Sequence, residues 1–159
     1  MLMGNKRAAF LWAAAALLCM VAIFVFSAFP AERSSGMSDS LVDWPFALFE
    51  KWFGVSISLA AREFLHRFIR KAAHLLIFLL LGVCAANTVR RAAWGGWRVF
   101  WISLCWCSLY AATDEFHQLF VPGRACMWQD WLLDTAGALI GIGAVLLFMR
   151  RGKTKAMKK

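Results

Sequence analysis

TDEFHQLFVPGRACMWQDWLLDTAG, residues 113–137, sets acids, a histidine, an arginine and amides between two apolar runs. Taken as a hydrophilic loop, it would separate two truncated apolar segments. Helical periodicity gives a different result. If the helix entering this stretch continues to Phe120, Phe116, Leu119 and Phe120 share one face, while Asp114, His117 and Gln118 share another. Pro122 and Gly123 then suit the central positions of a type II turn. Beyond the turn, Asp130, Asp134, Gly137 and Gly141 recur at i, i+4, i+7 and i+11, which is one stripe of a second helix. The acidic end of that stripe leads into a small-residue pair that lets another helix approach closely. Acids on a packing face point into a bundle, so the stretch reads as helix, turn and helix.

The rest of the chain is apolar enough to place these helices in a membrane. It has 159 residues, 62% hydrophobic and 17% charged, with mean hydropathy +0.62. A helix needs about 20 mostly apolar residues to cross a hydrocarbon core. Four windows meet or approach that length, at about 8–29, 70–89, 98–120 and 131–149. The expected fold is therefore all-α, a polytopic membrane protein with a four-transmembrane-helix bundle forming a single domain over 1–159. Lys6 and Arg7 precede the first run, yet its length and the Phe29-Pro30 end fit a retained signal anchor better than a cleaved signal peptide.

Charge orients this bundle. With the amino terminus inside, Lys6, Arg7, Arg90, Arg91, Arg98, Arg150, Arg151, Lys153, Lys155, Lys158 and Lys159 are cytoplasmic, 11 of the 18 Lys and Arg residues. All nine acids fall on the other side. The positive-inside rule thus puts both termini in the cytoplasm, with 150–159 a basic tail. The net charge of +9 is mostly a topology signal. Because the bases are split among three segments without a recognition motif, no nucleic-acid partner is expected. Cys19, Cys84, Cys105 and Cys107 lie in the spans and only Cys126 lies outside, so no disulfide or zinc site is expected.

The long connection, 31–69, starts polar and turn-rich. Its DWPFALFEKWF segment places Pro45 in a first helical turn and Trp44, Leu48 and Trp52 at helical spacing, which suits a short interfacial helix or simple packing on the bundle. From Ala61 onward a single helix starts outside and enters the membrane, with Arg67, Lys71 and His74 along one stripe.

Three helices therefore carry polar groups to one depth: Lys71 and His74; Asp114, Glu115 and Gln118; Asp130 and Asp134, with Arg124 on the turn. Ionisable groups in lipid are costly and face partners or a watery cavity. RKAAH, DEFHQLFVPGR and DWLLDTAGALIG resemble the signature of the VanZ-like membrane family, whose founding member is associated with teicoplanin resistance. Position by position, the resemblance marks Lys71, His74, Glu115, Gln118, Arg124, Asp130, Asp134 and Gly137. It covers about residues 70–143 and implies a bacterial inner, or cytoplasmic, membrane and a cell-envelope role without supplying a reaction, so whether the chain is an enzyme stays open.

Two mechanisms fit these residues. In the first, an outer-leaflet site binds or processes an anionic envelope lipid, with an attendant effect on glycopeptide antibiotic susceptibility. Lys71, Gln118, Arg124 and Asp134 bind, while His74, Glu115 and Asp130 are the catalytic candidates. In the second, the same residues form a structural ionic network in a scaffold or partner-binding protein, with Arg124 paired to Asp130 or Glu115, Asp134 accepting from Lys71, and Gln118 bridging helices. Arg70, Lys71 and Arg124 against Asp114, Glu115, Asp130 and Asp134 sum to −1, so an incoming anion requires a protonated acid or a divalent cation. Carboxylates hold Mg²⁺ or Ca²⁺ through oxygen, but no recognised metal-ligand spacing is present, and no metal or other cofactor is assigned. Membrane lipids are the expected partners, with a homo-oligomer or a membrane partner left open.

Overall fold

Each apolar window falls largely within one long helix. The computed structural model describes residues 6–28, 47–48, 50–54, 56, 58–92 and 95–156. Among them, α1 spans Lys6–Ser27, α2 Leu59–Arg91, α3 Gly96–Gln118 and α4 Trp128–Ala156, and there are no strands. Backbone at 47–48 and 50–53 is also helical, and Arg62 of α2 donates to Glu50 at 2.9 Å. Trp44 and Pro45, on which the interfacial helix was expected to start, lie outside the described residues.

Capping explains the helix boundaries that matter here. Ser58 is extended and its hydroxyl accepts the Ala61 N–H, which starts α2 before the apolar run begins. At 33 residues and 1.5 Å per residue, α2 is about 50 Å long, against the roughly 30 Å of a bilayer core. One helix thus links the polar connection to the apolar bundle, as its Arg67, Lys71, His74 stripe predicts. The α3 helix ends at Gln118, two residues short of the expected Phe120. Val121 accepts the Arg124 N–H at 3.1 Å, and Gly123 has φ 75°, the left-handed conformation that the expected Pro-Gly turn requires.

Packing is most extensive between α2 and α4, and α1 lies mainly on α2. A Cβ at Gly137 would lie 2.5 Å from the Leu75 carbonyl oxygen, and one at Gly82 or Gly141 would collide with the carbonyls of Ala138 or Leu79. Small residues thus permit backbone contact between these helices, which is the role anticipated for Gly137 and Gly141; Gly82 is their counterpart on α2. Phe78, Leu81, Ala85, Cys107, Ala111 and Ala138 with Ile23 fill one core cluster, and Ala86, Val99, Ile142 and Val145 a second.

The outward faces are apolar as well. Phe10, Leu17, Leu18, Leu80, Leu109, Leu147 and Phe148 are each more than half exposed, an arrangement suited to hydrocarbon rather than water. Lys6–Ser27, Leu59–Arg91 and Trp128–Arg150 are long and apolar enough to cross a membrane. The α3 helix has sufficient length, 23 residues, but Arg98, Asp114, Glu115 and its tryptophans make it less apolar. The chain alternates direction, so the basic ends of the helices, with Arg7, Arg90, Arg98 and Arg150, gather opposite the end where α1 and α3 finish and α4 begins.

Candidate functional site

The end of the bundle opposite those basic ends holds a cavity of about 190 Å³, lined by Arg70, Lys71 and His74 of α2, Glu115 and Gln118 of α3, Arg124 on the turn, and Asp130 and Asp134 of α4. The binding and catalytic candidates named from the sequence all line it, together with Arg70, whereas Asp114 and Gly137 do not.

Each side chain is placed by its helix. Lys71 and Asp130 form an ion pair between α2 and the first turn of α4, where both remain partly exposed. One turn deeper, His74 Nδ1 faces Asp134 Oδ2 at 3.5 Å. Asp134 is 1% exposed. The axial offset of α2 and α4 therefore pairs Lys71 with Asp130 and leaves His74 to Asp134, correcting the expectation that Asp134 accepts from Lys71.

The acids of α3 have different partners. Glu115 Oε2 accepts the Met127 N–H at 2.9 Å, which satisfies a backbone donor at the entry to α4. Asp114 is 3% exposed, and its Oδ2 accepts from Ser27 Oγ at 2.9 Å and from Gln118 Nε2 at 3.1 Å. Gln118 thus bonds one turn back along its own helix instead of bridging two. The α3–α4 register is further fixed by Trp131 Nε1 donating to the Ser108 carbonyl at 3.1 Å.

The sequence expectation omitted α1. Besides Ser27, its Phe24 ring stacks on His117 with centroids 4.6 Å apart, and the Phe26 carbonyl accepts from Arg124 Nη2 at 3.3 Å. A lone serine near the end of an uncharged run carries no periodic signal, so nothing in the sequence separated Ser27 from an ordinary small residue.

Arg124 stands in the turn, outside the helices. Burial and the neighbouring Arg70 lower its guanidinium from the ordinary value, against the opposite pull of Asp114 and Glu115. Arginine stays protonated in proteins, so the turn brings a permanent cation to the cavity. Chemically, the site offers fixed cations, an imidazole and several carboxylates around a space open to a small polar group. All five cysteines are free and none lines this cavity.

Comparison with known proteins yields a match to the VanZ/LLP1 family model over residues 12–149, which takes in all four helices and the cavity. No curated protein and no solved structure matches the chain.

Proposed function

The chain belongs to the VanZ/LLP1 family, and on that premise we propose that it is a multi-pass protein of the bacterial cell envelope whose cavity receives the headgroup of an anionic envelope lipid. In this reading the protein is one membrane domain with four spans. The α3 helix crosses with the three more apolar helices, sheltered by packing on α2 and α4. Both termini are in the cytoplasm of a bacterial cell with the protein in its inner membrane, by the weight of Lys and Arg at one end, and helical backbone at 50–53 rests in the outer interface, where Trp52 is favoured.

The observation that carries the reading is the cavity itself, at the end of apolar helices, with Arg70, Lys71 and Arg124 on its wall. Arginine holds a phosphate through paired hydrogen bonds, and lysine adds a point charge. His74 and Glu115 stand where a proton could be moved to or from a bound headgroup. An effect on glycopeptide susceptibility would follow from altered envelope lipid and belongs to the same proposal.

A second reading has its own support. Lys71 pairs with Asp130, His74 faces Asp134, Glu115 accepts from Met127 and Asp114 accepts from Ser27. These contacts suit a scaffold whose polar cluster sets helix register and whose partner binds elsewhere. Native mass spectrometry on the detergent-purified chain separates the two. A retained phospholipid or polyprenyl phosphate, lost in Arg124→Ala while the melting temperature holds, supports the lipid reading. Absence of any anionic lipid, together with unchanged lipid composition in a deletion strain, would sink it in favour of the scaffold.

A further inference from the structure

We propose that His74, Asp114 and Asp134 form a binding site for one divalent first-row transition ion at the floor of the cavity. These residues come from three helices and are separated by 40 and 20 positions, so no local ligand motif announces them. Each offers one ligand atom, and the three atoms lie within 4.8 Å of one another. Ligands about 2.1 Å from a metal are about 3.4 Å apart at a tetrahedral angle and about 4.2 Å apart when opposed. A pair at that 4.8 Å bound reaches bonding distance by closing about 0.6 Å if the ligands are opposed and about 1.4 Å if they are tetrahedral.

An independent observation points to a missing partner. Asp134 is 1% exposed, its Oδ1 receives no hydrogen bond and its Oδ2 has only the 3.5 Å approach of His74 Nδ1; Asp114 is 3% exposed, and its Oδ1 receives none. Buried polar atoms in native proteins almost always have a partner, and an orphan calls for an ion or a water. Two buried carboxylates and an imidazole this close together present the oxygen and nitrogen donors that a cation takes. Lys71, the closest lysine along α2, pairs with Asp130 one turn away, leaving His74 as the group that faces Asp134.

The donor set selects the kind of ion. One imidazole and two carboxylates suit Zn²⁺ or Mn²⁺ better than Mg²⁺ or Ca²⁺, which prefer all-oxygen surroundings. Gln118 and Ser27 already bond the other oxygen of Asp114, in the way that outer groups orient metal ligands. Three protein ligands leave a coordination position open, and His74 and Asp134 both line the cavity, so that position faces whatever the cavity admits. The ion would also change the local count from −1 to +1. This inference stands without the lipid reading, because it needs only the three ligands.

The test uses the full chain in detergent, stripped with chelator and given Zn²⁺ or Mn²⁺ with no added lipid. One ion per chain is expected by elemental analysis after gel filtration. His74→Gln and Asp134→Asn should each weaken binding at least about tenfold, whereas Glu63→Gln, an exposed acid on α2, should leave it unchanged. Nitrogen modulation in the pulsed electron paramagnetic resonance spectrum of the Mn²⁺-loaded native chain would place an imidazole on the ion, and this reading survives even where the variants fail to fold. Substoichiometric uptake of both ions, undiminished binding in folded His74→Gln and Asp134→Asn, or an Mn²⁺ spectrum without nitrogen coupling would each overturn the site.

Discussion

Ser27 Oγ donates to Asp114 Oδ2 at 2.9 Å across 87 residues of sequence, joining the last residue of α1 to a buried acid of α3. Ser27 is fully buried, so Ser27→Ala removes a hydrogen bond that water cannot replace. The expected loss is about 1–3 kcal/mol, measured as a lower melting temperature in detergent. Asp114→Asn should soften that loss when combined with Ser27→Ala, and full additivity of the two changes would refute the coupling.

Glycine contact between α2 and α4 gives a sharper stability prediction. Gly141→Val forces side-chain atoms into the Leu79 carbonyl, and the expected outcome is a cost above about 3 kcal/mol, in the range of severe overpacking. Gly143→Ala, two residues on, meets open space and should be neutral or stabilise by up to about 1 kcal/mol through helix propensity. Fluorescence-detected gel filtration compares them, and equal behaviour of the two variants would argue against this crossing.

The face of each polar helix was readable from the sequence, and the pairing across faces was not. A 3.6-residue period assigns Lys71, His74, Asp130 and Asp134 to inward stripes. It is silent on how far α2 slides along α4, and a slide of one turn, about 5.4 Å, exchanges Lys71–Asp130 for Lys71–Asp134. The Pro122-Gly123 turn was legible because its chemistry is local. Ser27 was not, since its role depends on where a neighbouring helix ends, and the His74, Asp114, Asp134 cluster depends on three helices at once.

The Lys71–Asp130 pair lies at the watery end and is partly exposed, with side-chain accessibilities of 38% and 23%. Charge reversal tests its role. Lys71→Asp alone should weaken the protein by about 1 kcal/mol, and adding Asp130→Lys should restore most of that loss, with a benefit that shrinks in high salt. A double variant no more stable than the single one would remove the pair from the account of the fold.

Topology is open to direct labelling. Cys126 is exposed beside the cavity, and the proposed orientation makes it reactive toward an impermeant thiol reagent added to intact cells. A cysteine introduced by Thr154→Cys in a Cys126→Ser background should stay unlabelled until the membrane is opened. Labelling at 154 in intact cells would invert the protein.

Arg124 and lysine differ in geometry more than in charge. If a phosphate is held in the cavity, Arg124→Lys should retain less than about a tenth of the lipid found with the native chain, because paired donation is lost. Native mass spectra of the two proteins give the ratio, and equal occupancy would reduce Arg124 to a source of charge.

The first helix contributes a hydroxyl, an aromatic ring and a carbonyl to the polar end through Ser27, Phe24 and Phe26. A segment used only to cross a bilayer could be exchanged for any apolar run of equal length. Here an exchange would have to keep a hydroxyl level with Asp114 and a ring opposite His117. An apolar run that did no more than cross hydrocarbon would be free of both demands; this one is a wall of the polar end.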